Sequence, residues 1–196
     1  GIILIADEIQ TGFARTGTLF AMERYGIAAD LTTMAKGLGG GFPLSAVTGR
    51  AELMDAPGPG GLGGTYAGNP VAIAAAHAVL DVIEEEALCD RAAQLGSRLR
   101  QRLEGLRSDV PHICDIRGPG LMVAVEFNNP DTGKPDPDFA NSVRTEALKK
   151  GLILLTCGVY GNVIRFLPPL TVQETVFAEG VDILETTLRE CTKEAN

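Results

Sequence analysis

The sequence predicts an α/β protein that starts within a parallel sheet and ends in a smaller α/β domain. The apolar run at 2–6 ends at Asp7 and Glu8, which is typical of a strand buried on both faces of a parallel sheet. Strand-like and helix-like segments alternate along the rest of the 196 residues. Because 45% of the residues are hydrophobic and 21% are charged, the chain can bury a sizeable core. We expect residues 1–86 to finish a large domain and residues 87–196 to form a small one.

The first third of the chain predicts two further strands and one long helix. The second apolar run of this region ends at Lys36, directly before a glycine-rich loop. The dipeptide Asn69-Pro70 indicates a helix start, because asparagine caps a helix and proline suits its first position. The expected segments are a short helix or turn at 21–29, strands at 31–35 and 44–48, and a helix from 70 to about 88.

The remainder of the chain predicts a helix followed by alternating strands and helices. An amphipathic helix is expected at 90–106, because leucines recur there with helical spacing. Thr171 and Glu174 have the spacing of a capping box, which indicates the start of the last helix at Thr171. The other expected elements are strands at 114–117, 121–127, 152–155 and 163–167, and a helix at about 138–150.

Composition excludes several classes of function. The 17 lysines and arginines against 25 acidic residues give a net charge of −8, so nothing supplies the basic surface that nucleic acid requires. The longest apolar stretches fall short of the roughly 18 residues that a membrane-spanning helix needs. We therefore expect no nucleic-acid partner and no membrane partner.

The cysteines and histidines predict neither a metal site nor disulfide bonds. Four cysteines, at 89, 114, 157 and 191, are widely spaced and form no CxxC pair, which is unlike the common zinc frameworks. They indicate reduced thiols, and hence a cytoplasmic protein. Of the two histidines, His77 lies on the alanine-rich predicted helix and His112 in a loop.

The beginning of the chain predicts that further sequence precedes it. A chain rarely starts inside a buried strand, and nothing before residue 1 supplies neighbouring strands. We therefore expect these residues to be the C-terminal part of a longer protein.

Two residues in the glycine-rich first third are candidates for chemistry. Lys36 is the only lysine in the first 133 residues and lies between an apolar run and several glycines, an arrangement that suits a nucleophilic amine. It could equally be a surface lysine in a loop. Asp7 follows a buried strand, where open α/β sheets place their ligand contacts, although a capping role explains it as well.

Three motifs together resemble the class III aminotransferases, which are pyridoxal-phosphate enzymes of fold type I. They are DEIQTGFARTG at 7–17, KGLGGGFP at 36–43 and GTYAGNP at 64–70. The resemblance covers essentially the whole chain. Residues 60–70, 151–155 and 162–165 look most like the 4-aminobutyrate aminotransferases of this family. The implied fold is the C-terminal part of the large, mostly parallel cofactor domain followed by a small α/β domain.

The resemblance also implies roles for individual residues. Lys36 would bond covalently to pyridoxal phosphate and move a proton, while Asp7 would face the pyridine nitrogen and keep it protonated. Ile9 would pack against a face of the ring and Gln10 would hydrogen-bond its 3-hydroxyl. Thr65 would donate to the cofactor phosphate of a neighbouring subunit, which implies a homodimer or a higher homo-oligomer.

Substrate recognition is implied for one residue of the small domain. Arg165 matches the family arginine that binds a substrate carboxylate, for which a planar guanidinium is suited. Arg117 also lies in a family motif, but a structural salt bridge explains it equally well.

The implied reaction joins a small-molecule amino donor and a 2-oxo acid acceptor. Transfer of the amino group of 4-aminobutyrate to 2-oxoglutarate would give succinate semialdehyde and glutamate. The alternatives are another class III ω-amino-acid aminotransferase or an amino-acid racemase. A hypothesis from a different functional class is that the 196 residues alone are not an enzyme but a stable, catalytically inactive piece.

Overall fold

A computed structural model describes residues 1–195 and separates them into two compact units, which divide between residues 92 and 93. The division falls inside a helix, α3, that runs over Leu88–Glu104. Across the described residues, none of the helices combines the length and hydrophobicity needed to span a membrane. The same residues contain no cluster of histidine, cysteine and acidic side chains that could hold a metal ion.

The first unit is built on a three-stranded sheet in which β1 (Ile5–Asp7), β2 (Leu31–Met34) and β3 (Ala46–Gly49) lie in that order. β1 pairs with β2 in parallel, and β2 pairs with β3 in antiparallel orientation. The predicted helix start at Asn69 is confirmed, because its side-chain oxygen accepts hydrogen bonds from the backbone of Val71 and Ala72. The elements are β1 (Ile5–Asp7), a 3₁₀ helix (Ala21–Tyr25), β2 (Leu31–Met34), a 3₁₀ helix (Lys36–Gly39), β3 (Ala46–Gly49), α1 (Ala51–Met54) and α2 (Pro70–Glu85).

The predicted burial of the first strand on both faces is wrong for this chain. Ile2 is 99% exposed and Ile5 is 56% exposed, whereas Ala6 is buried. β1 lies at an edge of the three-stranded sheet, and the exposure of Ile5 beside the buried Ala6 shows that the described residues cover only one face of this strand. The apolar run therefore identifies the strand correctly but not its surroundings.

The second unit contains a four-stranded sheet with the order β4-β5-β7-β6, in which every pair is antiparallel. Three helices accompany it, and α3 joins it to the preceding part of the chain. Gly96 of α3 lies so close to the backbone of Gly120 that a Cβ atom at this glycine would stand 1.6 Å from the Gly120 oxygen. The elements are β4 (Ile113–Arg117), β5 (Val123–Phe127), α4 (Pro137–Lys149), β6 (Leu155–Cys157), β7 (Val163–Phe166) and α5 (Glu174–Ala195).

Two predicted boundaries in this unit are wrong. β6 starts at Leu155, where the prediction ends, because the residues from Leu155 to Cys157 are the ones that pair with β7. Leu152 instead packs beside Gly180 of α5. The last helix begins at Glu174 rather than Thr171, since the chain before it forms a turn in which the Val172 amide donates to the Pro169 oxygen.

The core of the second unit follows from the alternation of side chains along β5. Val123, Val125 and Phe127 are buried, whereas Ala124 and Glu126 between them are half-buried. Side chains of a strand point alternately to the two faces of its sheet. One face therefore carries the apolar core, and the opposite face carries polar side chains. Further core residues come from α3, α4 and α5, including Leu95, Leu99, Val143, Leu184 and Leu188.

His112 is buried in this unit, although the sequence places it in a loop. Its ring stacks on Phe139 of α4, with 3.9 Å between ring centroids. Nε2 lies 3.7 Å from Oδ2 of Asp136, while Nδ1 has no hydrogen-bond partner among the described residues. Burial lowers the pKa of His112, and the charges of Asp136 and Asp131 oppose this shift only in part.

The unfolding free energy is expected to fall as the pH drops through about 6.5, the usual pKa of histidine in an unfolded chain. The unfolded chain then binds a proton that the folded state, with its lowered pKa at His112, resists. Urea unfolding of the wild-type chain at pH 7.5 and 5.5 should show a loss of stability that is smaller in His112→Phe. His77→Gln is the control, because His77 is exposed and should keep the wild-type dependence. Equal losses in wild type and His112→Phe would contradict the assignment.

Candidate active site

Asp7 and Lys36 lie at the carboxyl ends of two adjacent parallel strands. Asp7 is the last residue of β1 and pairs with Thr33 of β2, and Lys36 follows the end of β2 at Met34. The carboxyl ends of neighbouring parallel strands open onto one edge of the sheet, where α/β proteins bind their ligands. The structure therefore brings both predicted residues to the same edge.

The Asp7 carboxylate is oriented by two hydrogen bonds. Its Oδ1 accepts from the backbone amide of Ile9 at 3.1 Å and from Oγ1 of Thr33 at 3.4 Å. The side chain is nevertheless exposed. Asp7 thus presents an oriented negative charge that a ligand can reach. Ile9 and Gln10, the other two predicted residues of this segment, are half-buried in the turn that follows.

Glu8, the neighbour of Asp7, has a structural role that the sequence does not reveal. Its side chain is 2% exposed. One carboxylate oxygen accepts from Thr11 Oγ1, and the other accepts from the Met22 amide at 2.9 Å. A buried carboxylate is stabilised when its oxygens are paired in this way. Glu8 therefore connects the turn after β1 to the 3₁₀ helix Ala21–Tyr25 and is not available to a ligand.

Lys36 has an unusual backbone conformation. Its φ angle is +47°, in the left-handed region that residues with a side chain rarely adopt. Such a conformation costs of order 1–3 kcal/mol and persists only where the surrounding structure enforces it. Here Lys36 starts the 3₁₀ helix Lys36–Gly39, and its side chain is exposed at the sheet edge.

Close packing holds the loop of Lys36 from two sides. A Cβ atom on Gly37 would lie 3.3 Å from Cβ of Phe13, which is buried in the turn after β1. A Cβ atom on Gly40 would lie 2.8 Å from Cγ2 of Val79 on α2. The glycines therefore let the backbone approach the turn after β1 and the helix α2. This packing fixes the loop that begins with the lysine.

The remaining predicted residues lie elsewhere in the chain. Thr65 is exposed in a stretch of consecutive exposed residues, 55–71, within the first unit. Arg165 belongs to the second unit, on β7, where it pairs with Ala124 of β5 and Leu155 of β6. Its side chain is half-buried. The structure thus places Asp7, Ile9, Gln10 and Lys36 in or beside the loops at one sheet edge. Thr65 lies in an exposed stretch of the same unit, and Arg165 belongs to the second unit.

The chemistry of the grouped residues suits a particular kind of ligand. An exposed primary amine can bond to an aldehyde, and an exposed, oriented carboxylate can face a cationic ring nitrogen. The residues at this edge therefore suit a ligand that carries both an aldehyde and a cationic nitrogen.

Comparison with known proteins identifies one family over nearly the whole chain. The family model described as aminotransferase class III matches residues 1–188. The chain is 54% identical over 185 residues to the 5-aminovalerate aminotransferase DavT of Pseudomonas putida, covering 94% of this chain and 44% of that protein. It is also 54% identical over 185 residues to the 4-aminobutyrate aminotransferase GabT of Escherichia coli, covering 94% of this chain and 43% of that protein. The chain thus spans less than half the length of these relatives.

A solved structure shows the same fold. The ornithine aminotransferase of Toxoplasma gondii, described with partial occupancy of PLP at its active site, superimposes with a TM-score of 0.84. The match covers 98% of this chain and 44% of the other, at 36% sequence identity. The fold is therefore that of the C-terminal part of such an enzyme, as the sequence predicts.

Proposed function

Because the chain belongs to the class III aminotransferase family, we propose that the protein containing it transfers the amino group of 4-aminobutyrate to 2-oxoglutarate. The products are succinate semialdehyde and glutamate. The placement of Lys36 and Asp7 at adjacent carboxyl ends of the parallel strands β1 and β2 supports the cofactor chemistry, and the 54% identity to an enzyme named for 4-aminobutyrate supports the choice of donor.

Pyridoxal phosphate is the cofactor of this family, and the residues at the sheet edge fit it. When bound, the cofactor supplies an electron sink for the carbanion that forms as the substrate loses a proton. The Lys36 amine would hold the cofactor covalently and, once displaced by the substrate, carry the proton between carbon atoms. This role requires an amine that is exposed at the sheet edge, as Lys36 is.

Asp7 would hold the proton on the ring nitrogen. Its carboxylate is fixed by the Ile9 amide and the Thr33 hydroxyl, so it needs no reorientation when the ring arrives. Ile9 would contact a face of the ring, and Gln10 would hydrogen-bond the 3-hydroxyl group. Both lie within three residues after Asp7, in the turn that follows β1.

We propose that the enzyme is a homodimer or a higher homo-oligomer in the cytoplasm. Thr65 would donate a hydrogen bond to the cofactor phosphate of a neighbouring subunit. Its exposure in the first unit supports this role, since a residue that serves a second subunit must lie at the surface of its own.

Arg165 would bind the carboxylate of glutamate or 2-oxoglutarate. In the full-length protein, Arg165→Gln should raise the KM for 2-oxoglutarate by about 10- to 100-fold, because a hydrogen bond between charged groups contributes roughly 1.5–3 kcal/mol. Steady-state kinetics with each substrate varied in turn measure this change. Arg189→Gln is the control, since Arg189 pairs with Asp109 and Glu185 at the surface of the same unit. A KM that does not change in Arg165→Gln would remove Arg165 from the substrate site.

A second donor, 5-aminovalerate, is favoured by one observation. The relative named for 5-aminovalerate and the relative named for 4-aminobutyrate are equally similar to this chain, at 54% identity. The two donors differ by one methylene group, which a pocket distinguishes by only about 1–3 kcal/mol. The ratio of kcat/KM for the two donors, measured on the full-length protein, decides between them.

The 196 residues by themselves are proposed to be inactive in transamination. They cover 43–44% of the relatives' length, so the remaining half of such an enzyme would supply further groups. Assay of the chain alone beside the full-length protein tests this directly, and turnover by the chain at an enzymatic rate would overturn it.

A further inference from the structure

The polar face of the second unit's sheet places Arg165 in a cluster of charged side chains. Residues that pair directly across antiparallel strands project from the same face, as do residues two apart on one strand. Ala124 of β5 pairs with both arginines of this face, Arg117 on β4 and Arg165 on β7. Two residues along β5, Glu126 pairs with Asp115 of β4. All five side chains therefore lie on one face.

Glu126 stands at the same offset from both arginines. It lies on the strand between them, one diagonal step from Arg117 and one diagonal step from Arg165. Diagonal neighbours in an antiparallel sheet are about 7–8 Å apart, within reach of long side chains. The Glu126 Oε2 atom lies 2.7 Å from Nη1 of Arg117, so a glutamate and an arginine do bridge this offset. By the same geometry, Glu126 can reach Arg165.

The two oxygens of Glu126 are held from opposite sides, one by Arg117 of β4 and the other by Asn162, which directly precedes β7. The Nη1 atom of Arg117 donates to Asp115 Oδ2 at 2.6 Å and contacts Glu126 at 2.7 Å. These partners, Asp115 first and Glu126 second, raise the pKa of Arg117. The other oxygen of Glu126, Oε1, lies 3.5 Å from Nδ2 of Asn162, which is the direction along β5 away from Arg165.

We propose that Arg117 is a positioning residue for substrate binding, because by holding Glu126 it keeps a competing carboxylate away from the guanidinium of Arg165. This inference rests on the proposed role of Arg165. Without Arg117, Glu126 becomes a tethered competitor of the substrate carboxylate. A group tethered this closely has an effective concentration of about millimolar or more, comparable with the concentration of a metabolite.

The test is a set of variants of the full-length protein. Arg117→Gln should raise the KM for 2-oxoglutarate by about 5- to 10-fold, as expected for a tethered competitor, and leave kcat within about twofold. Adding Glu126→Gln should return the KM to within about twofold of wild type, because the competitor has lost its charge. Arg117→Met serves the same purpose if the glutamine variant does not fold. Thermal unfolding of each variant verifies that it is folded.

Asp115→Asn is the matched control for the rescue. It also removes a carboxylate partner of Arg117, but Asp115 lies on β4, two strands from Arg165. In the Arg117→Gln background it should leave the KM raised. An unchanged KM in Arg117→Gln overturns the proposal, and so does equal rescue by Asp115→Asn and Glu126→Gln.

Arg165→Gln in the same assay separates the two ways of failing. If it raises the KM and Arg117→Gln does not, the positioning role fails while the proposed function stands. If Arg165→Gln leaves the KM unchanged, the carboxylate site itself is misassigned, and the positioning role falls with it.

Discussion

Lys36→Met is expected to abolish the covalent attachment of pyridoxal phosphate when the protein is reduced with borohydride. In the full-length enzyme the same change should lower kcat by about 10²–10⁴-fold, because the proton carrier is lost with the amine. Methionine is an unbranched side chain only one atom shorter than lysine, but it can neither bond to an aldehyde nor transfer a proton. Absorbance spectra with added cofactor, followed by reduction and peptide mapping, measure the attachment.

Lys134→Met is the matched control for this experiment. Lys134 is exposed in the loop between β5 and α4 and should be replaceable without loss of label or activity. A label that persists in Lys36→Met, or that maps to Lys134, Lys149 or Lys150, would show that the lysine has been assigned wrongly.

Asp7→Asn is expected to lower kcat by about 10²–10³-fold, the usual effect of removing one preorganised electrostatic group from a reacting centre. An amide can still accept the hydrogen bonds from Ile9 and Thr33, so the turn should persist. It cannot, however, hold a proton on the ring nitrogen. Borohydride labelling of Lys36 should therefore survive while turnover falls.

Asp81→Asn, an exposed change on α2, controls for a general effect of lost charge and should retain full activity. Asp7→Glu should recover part of the lost rate, because it restores the negative charge at a shifted position. If Asp7→Asn keeps kcat within about tenfold of wild type, the carboxylate does not act on the cofactor ring.

The sequence predicts the site residues of the first unit because their placement depends on local patterns. An apolar run followed by Asp7, and another followed by Lys36, suffice to place both residues at strand ends. The parallel pairing of β1 with β2 confirms this placement. The helix start at Asn69 is predictable for the same reason, since a cap and its helix are neighbours in the chain.

The features that the sequence misses depend on partners distant in the chain. In the sequence, Glu8 is a second acid beside Asp7 with nothing to distinguish their roles. In the structure, the Met22 amide donates to the Glu8 carboxylate. The contact of Arg117 with Glu126 requires the register of β4 against β5, which no local pattern contains. His112 is buried because Phe139, which lies on the following helix, covers its ring.

The burial of β1 shows the same limit in another form. The run from Ile2 to Ala6 reports how apolar the strand is, whereas the exposure of its side chains depends on what packs over each face of the sheet. A pattern of apolar residues therefore predicts that a segment is a strand more securely than it predicts what covers that strand.

At Lys36, the residue that would favour the stability of the fold differs from the residue that the proposed chemistry needs. Glycine adopts a φ angle of +47° without the penalty that a side chain incurs, so glycine would suit residue 36 better on conformational grounds alone. A selection or design procedure that optimises folding free energy alone would therefore tend to discard the lysine. If Lys36 carries the proposed chemistry, the conformational cost of its side chain is a cost of that function. A positive φ angle does not by itself mark a functional residue, since Phe13 and Ala14 adopt one in the turn after β1.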